Sequence, residues 1–203
     1  MHAMQLTLLG RSAPSFDATF RGAERIELGL GAWIERVPGF LSGHELVFDV
    51  LQEDTRWALQ ERTMYDRVVE VPRLTASLPV DGEGHPVLDE MAEALTDRYG
   101  EELSSLSLAF YRDGRDSVAW HGDRHAQTML NAMVATVSLG TPRHFMLRPK
   151  DCSGPSRKFL LGWGDLLVMG GDCQHTWEHS VPKRKQPCGP RISVMFRNRP
   201  KGL

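Results

Sequence analysis

Cysteine is scarce in these 203 residues, with Cys152, Cys173 and Cys188 making up the whole complement. Odd in number, far apart and without a CxxC pair, they offer neither a disulfide framework nor a zinc knuckle, so free reduced thiols are expected. Long hydrophobic runs are missing too. No stretch approaches the ~20 apolar residues that a membrane span needs, and the first residues lack the basic start and apolar run of a secretion signal. The expectation is a soluble chain without membrane contact, cytoplasmic or, in a eukaryote, nuclear. A large net charge is also lacking, at −2. That sum hides an asymmetry, because residues 141–203 hold 12 Lys and Arg against 4 Asp and Glu. Lys183, Arg184 and Lys185 sit in a Pro- and Gly-bearing loop from Pro182 to Pro190. Such a loop either contacts a phosphate backbone or is a solvated tip.

With 41% hydrophobic and 25% charged residues, the chain fits one globular unit with a real core, and a monomer is expected. Residues 1–40 carry scattered glycines without a clean period and read as irregular structure with short strands. Ser42 and Glu45 make a capping box. Leu46, Val47, Val50 and Leu51 then recur at helical spacing over 43–54. A second helix starts near Pro86, repeats Leu88, Met91, Ala92, Leu95 and Tyr99, and closes at Gly100. From Leu103 the pattern becomes short strands: 103–111, 117–123, 132–139, 143–148, 158–161, 165–169, 175–181 and 191–198. Turns at Asp113-Gly114, Gly162-Trp163-Gly164-Asp165 and Gly170-Gly171-Asp172 separate them. The fold class is therefore mainly β with flanking helices (α+β), and eight short strands point to a jelly roll or barrel. Residues 1–102 read as an N-terminal extension and residues 103–203 as the β core.

Within that core, His121, Asp123 and a distant histidine supply two imidazoles and one carboxylate. That is the ligand set of a non-haem Fe(II) oxygenase, which leaves three coordination sites for co-substrate and dioxygen. Alternate residues of a strand share a face, so a strand through 117–123 aims His121 and Asp123 into one cavity. The distant histidine is His179 or His175, which share a face at period 2. The same parity over 191–197 puts Arg191, Ser193, Met195 and Arg197 on one side and Ile192, Val194 and Phe196 on the other. A buried guanidinium needs an anion and matches a carboxylate bidentately, which suits a dicarboxylate co-substrate such as 2-oxoglutarate. Folding the sheet over is expected to bring His121 and His179 together.

These residues resemble the AlkB family of Fe(II)/2-oxoglutarate-dependent nucleic-acid dealkylases. The resemblance rests on Phe110-Tyr111-Arg112-Asp113-Gly114, His121-Gly122-Asp123, Val137-Ser138-Leu139-Gly140, Gly164 to Gly171, Trp177 to Pro182 and Arg191 to Arg197. A weaker match, Trp57 to Thr63 and Pro72-Arg73-Leu74-Thr75-Ala76, is similar to the family's nucleotide-recognition lid. The resemblance implies a double-stranded β-helix, with Fe(II) on His121, Asp123 and His179 and 2-oxoglutarate held by Tyr111, Arg191 and Arg197, with Ser193 on the same face. It implies oxidation of an N-methyl group on a damaged base such as 1-methyladenine or 3-methylcytosine, with dioxygen consumed and formaldehyde released. The partner would be alkylated DNA or RNA, single-stranded or with the base flipped.

Three positions depart from the family pattern. Ala109 stands where an asparagine often accompanies the co-substrate tyrosine, Arg124 and His125 stand where an acidic residue often faces the base, and Ser77-Leu78 replace an aromatic pair. Tyr65 is the first choice for a substitute stacking face, then Trp57 or Trp177, since base stacking gives ~1–3 kcal/mol. Substrate contacts are accordingly expected from Tyr65, Trp57, Arg73, Arg124, His125, Lys183 and Arg184. The basic lid residues Arg56, Arg62, Arg67 and Arg73 favour a nucleic acid. The rival readings are an iron-dependent hydroxylase of proteins or small molecules, and a non-catalytic module on the same fold.

Overall fold

The computed structural model describes residues 12–64, 67–78, 85–103, 105–123, 129 and 131–198. Along the chain run β1 (Ser15–Phe16), β2 (Glu24–Gly29), β3 (Ala32–Val37), β4 (Leu41–Ser42), α1 (His44–Asp54), β5 (Ala58–Met64), β6 (Arg67–Leu78) and α2 (Val87–Tyr99). Then follow β7 (Ser105–Tyr111), β8 (Val118–His121), β9 (Val134–Gly140), β10 (Arg143–Pro149), β11 (Arg157–Leu161), β12 (Asp165–Gly171), α3 (Cys173–Thr176), β13 (Trp177–Val181) and β14 (Arg191–Arg197).

Eight strands form a large sheet in the order β2-β3-β12-β9-β14-β7-β6-β5, and four form a smaller one, β11-β10-β13-β8. All the pairings are antiparallel. This is the jelly roll that the strand count predicted. Strands from before residue 102 supply both edges of the large sheet, so the N-terminal segments extend the core sheet.

Alternation divides each central strand between two cores. On β14, Ile192, Val194 and Phe196 join Leu106, Leu108 and Phe110 of β7 and Ala135, Val137 and Leu139 of β9 beneath the helices. Val47, Phe48 and Leu51 of α1 and Leu88, Met91 and Leu95 of α2 close that layer. The opposite face looks toward the small sheet, where Ala109, Tyr111, Leu167 and Met169 meet Phe145, Leu147 and Trp177.

Two expectations are corrected near the N-terminus. The short strands expected within residues 1–40 are present, but residues 24–37 are regular members of the large sheet, β2 pairing with β3 and β3 with β12. The missing period has a physical cause. β3 is covered on both faces, and its Glu35 is buried because Arg98 Nε and Nη2 and Tyr99 Oη all donate to its Oε1 at 2.7–3.0 Å. The Ser42–Glu45 capping box is absent. Ser42 belongs to β4, and Gly43 is the N-cap at φ 64°, without a side-chain cap. A Cβ there would lie 2.4 Å from the Ser12 carbonyl oxygen, so the chain enters α1 through a turn that only glycine fits. Helix α2 ends on the expected Gly100, whose N–H donates to the Thr96 carbonyl.

Candidate active site

His121 and His179 face each other as a cross-strand pair of β8 and β13, with ring centroids 4.3 Å apart. They are neighbours within one sheet, which corrects the expectation that closure of the sheet would unite them. The pairing carries a bulge: Val118 to His121 on β8 spans three steps, while Val181 to His179 on β13 spans two. An extra residue in one strand resets its alternation, so both Val118 and His121 line the same cavity. Strand β8 ends at His121, and Asp123 follows from the next loop. The ligand atoms of His121, Asp123 and His179 all lie within 4.8 Å of one another.

Neighbouring groups fix the state of each member. His121 Nδ1 sits 2.8 Å from the Ala119 carbonyl; that oxygen can only accept, so Nδ1 carries the proton and Nε2 is left for a metal. Burial holds His179 far below the usual imidazole range, at about 3, with His121 adding to the effect. Its ring is therefore neutral and stacked on Phe145. Burial would raise the Asp123 carboxyl, but Arg197, His179 and His121 outweigh it and hold the group at about 2. Arg197 Nε donates to Asp123 Oδ2 at 2.8 Å, with Ser107 Oγ and Met195 Sδ around the same guanidinium. A neutral, neutral, anionic donor set with open space beside it suits Fe(II).

That space is a cavity of about 500 Å³, within the usual range for a small-ligand site. Strand register lays out its wall, and the residues just behind it, in rows. Tyr111 pairs with Arg191; the next inward row is Thr75, Ala109, Ser193 and Ser138, and the one after it is Ser77, Ser107, Met195 and Thr136. Arg191 is fully buried, and its Nη2 donates to Ser138 Oγ at 2.7 Å. Its Nε and Nη1 have no hydrogen-bond partner among the described residues, and desolvation pulls the guanidinium down to about 10 against the opposing effect of Tyr111. Unpaired buried donors are costly, and an anionic carboxylate relieves them. The residues thus fit both iron and a dicarboxylate.

Other predicted residues fall elsewhere. His175 sits on the α3 turn, not on the strand, and its Nε2 lies 2.8 Å from the Met129 carbonyl. The turn breaks period 2, so His175 shares no face with His179. Trp57 packs on Phe110 at 5.1 Å, and its indole N–H donates to the Gln52 carbonyl. Trp177 belongs to the inter-sheet core. Arg73 lies inside the cavity against Tyr111. Lys183, Arg184 and Lys185 are exposed, and the Arg184 N–H is anchored on the Gly114 carbonyl. Tyr65, Arg124 and His125 lie outside the described residues, as do the side chains of Arg62 and Arg67.

The superfamily model described as 2OG-Fe(II) oxygenase matches residues 43–197. The DNA oxidative demethylase ALKBH2 of Arabidopsis thaliana is 30% identical over 213 residues, covering 85% of this chain and 68% of that protein. The chain belongs to the AlkB family of 2OG-Fe(II) oxygenases. Alpha-ketoglutarate-dependent dioxygenase alkB homolog 3 of Bos taurus is 31% identical over 182 residues, 79% of this AlkB-family chain. The chain spans 64% of that relative's length. A 2OG-Fe(II) oxygenase-family structure from Burkholderia pseudomallei superposes with a TM-score of 0.57 at 17% identity, covering 84% of this chain and 87% of its own. The structure of OsALKBH1 gives 0.56 at 16%, covering 86% and 100%. Both share the jelly-roll fold.

Three residues of this AlkB-family site escaped the sequence. Ser138 holds Arg191. Gln174 is buried, and its Oε1 accepts the Asp123 N–H at 3.2 Å while its own carbonyl accepts from Lys150 Nζ. Arg143, also buried, donates to the carbonyls of Asp113, Asp116 and Pro182 and braces two loops below Tyr111. The register of Ser138 against Ser193 is the one signal that could have found it, and it needed the strand pairing first. Among the described residues no helix is long and apolar enough to cross a membrane.

Proposed function

We propose that this protein is an Fe(II)- and 2-oxoglutarate-dependent dioxygenase that removes N-methyl groups from alkylated nucleobases in DNA or RNA. The observation that carries the reading is a cavity lined by the His121, Asp123, His179 ligand set and by Tyr111, with the buried Arg191 guanidinium against the Tyr111 ring at 5.3 Å. The choice of nucleic acid is supported by relatives named DNA oxidative demethylase.

Iron with 2-oxoglutarate and dioxygen supplies an oxidant for an unactivated C–H bond, one oxygen atom ending in succinate and the other on the methyl carbon, which leaves the base nitrogen as formaldehyde. The chain's residues bind and orient around that chemistry. His121, Asp123 and His179 would hold the metal, and Arg197 keeps Asp123 ionised with one oxygen turned away. Arg191, Tyr111 and Ser193 would seat the co-substrate's distal carboxylate. A methyl on the Watson–Crick edge is out of reach inside a duplex, so the substrate enters as a single strand or a flipped base. Lys183, Arg184 and Lys185 offer exposed charge for its phosphates. The protein acts as a monomer in the compartment that holds this nucleic acid.

The test is formaldehyde and succinate release with Fe(II), ascorbate and 2-oxoglutarate, on oligonucleotides with and without 1-methyladenine or 3-methylcytosine, as DNA and as RNA. Lesion-dependent release supports the reading. Succinate without lesion dependence refutes the substrate, and neither product refutes the activity.

A further inference from the structure

We propose that Arg73 is a second carboxylate-binding guanidinium of the co-substrate site, so that bound 2-oxoglutarate ties the β5–β6 hairpin to the jelly roll. The inference rests on the reading of this cavity as an oxygenase site, and it goes further by assigning a lid residue to the co-substrate instead of to the nucleic acid.

Register places Arg73. Leu74 of β6 pairs with Phe110 of β7, and Tyr111 pairs with Arg191 of β14. One step beyond Leu74, Arg73 lies beside Tyr111, so Arg73, Tyr111 and Arg191 form a row across three neighbouring strands about 4.8 Å apart. Alternation turns the row inward, away from Phe110 and Leu74, which pack under the helices. Both guanidinium carbons lie over the tyrosine ring, Arg191 at 5.3 Å and Arg73 at 6.0 Å from its centroid.

Hydrogen bonding shows what the row is short of. Arg73 Nη1 donates to Tyr111 Oη at 3.1 Å. With that lone pair occupied, the tyrosine proton is free to donate to an anion. Arg73 Nε is buried and unpartnered, as are Nε and Nη1 of Arg191. Arg143 adds a third guanidinium 5.7 Å from the same ring, and three like charges with idle donors around one tyrosine are unfavourable until an acceptor of opposite charge arrives. A carboxylate, with two oxygens and about four lone-pair sites, can satisfy donors from both arginines.

Space for it is present in the next row, where Thr75, Ala109 and Ser193 line the cavity with short side chains. Ala109 in particular leaves its hydrogen-bonding position bare, and Arg73 supplies a donor from the neighbouring strand. Because β6 pairs, among the described residues, with β7 and the edge strand β5, a ligand held by Arg73 and Arg191 together adds a tie between the hairpin and β14.

The experiment is titration of 2-oxoglutarate into protein loaded with Mn(II), which binds without turnover, comparing wild type with Arg73→Ala, Arg73→Gln and Arg73→Lys. Hydrogen exchange of the 71–78 amides is followed with and without 2-oxoglutarate. The expected result is a Kd raised about tenfold or more in Arg73→Ala, as for one lost charge-assisted hydrogen bond, and co-substrate protection of 71–78 in wild type alone. Arg73→Gln, which can still reach Tyr111, keeps the comparison valid should the alanine variant unfold. An unchanged Kd with weakened oligonucleotide binding overturns the proposal and returns Arg73 to the substrate. Failure of wild type to bind 2-oxoglutarate at all overturns the oxygenase reading itself, whereas equal binding by wild type and variants overturns only the role of Arg73.

Discussion

His121 and His179 stand on adjacent strands with their rings 4.3 Å apart, and His175, four residues before His179, is turned to the Met129 carbonyl instead. Substituting either of the paired histidines, or Asp123, with alanine should abolish metal binding and turnover while leaving the fold intact. His175→Ala should retain both, at a stability cost of about 1 kcal/mol for its one hydrogen bond. Co(II) titration by visible absorption separates the two cases. Metal binding lost in His175→Ala and kept in His179→Ala would reverse the ligand assignment.

Arg191 has no anion among the described residues; Ser138 accepts from one nitrogen, and the Tyr111 ring stands against the guanidinium. Arg191→Ala should raise the KM for 2-oxoglutarate by roughly 10- to 100-fold, the effect of losing one or two charge-assisted hydrogen bonds, with kcat changed far less. An initial-rate series over co-substrate concentration decides this, and an unchanged KM would remove Arg191 as the clamp.

Arg197 acts through Asp123. With Arg197→Ala the carboxylate loses its charged partner and its fixed orientation, so metal affinity or kcat should drop about 10- to 100-fold, as for other groups that orient metal ligands. Calorimetric titration of Mn(II) into both proteins reads the difference, and equal affinity with equal rate would show that the pair is only structural.

Glu35 accepts from Arg98 and Tyr99 in a buried network that locks α2 onto β3. Tyr99→Phe should cost about 1 kcal/mol, and Glu35→Ala about 2 kcal/mol, because Arg98 and Tyr99 then lose a shared acceptor. Thermal melting measures both, and activity per folded molecule should stay at the wild-type level.

Cys173 provides a pH signature. Burial pushes its thiol from an ordinary 9.0 up to about 12, against a small opposing pull from Lys150. An unfolded Cys173 ionises near pH 9 while the folded one keeps its proton, so this contribution to stability is full below pH 9 and is lost as pH rises from 9 to 12. In thiol labelling at pH 8, exposed Cys152 should react first and Cys173 only on unfolding. Rapid native labelling of Cys173 would contradict its burial.

Much of this architecture was legible because hydrophobic alternation and ligand parity are local properties. The division of β14 between Arg191, Ser193 and Arg197 on one face and Ile192, Val194 and Phe196 on the other came straight from period 2. Strand β3 was hidden because it is covered on both sides and carries a glutamate whose partners lie 63 and 64 residues away. Trp57 read as a stacking face because sequence cannot reveal that Phe110 already occupies its ring. Arg73 read as a lid residue because its neighbour Tyr111 is set by register, which no single strand encodes.

The bulge between β8 and β13 has a consequence for how such a site is kept. A strand without it would put Val118 and His121 on opposite faces, since they are separated by an odd number of steps. Deleting Ala119 would instead leave two steps on each strand and keep both side chains on the cavity face, so the bulge is what lets β8 carry one residue more than its partner without turning His121 away. The register of this strand pair thus tolerates a one-residue change in length between Val118 and His121, because the added step is taken up locally and the pairing of His121 with His179 is kept.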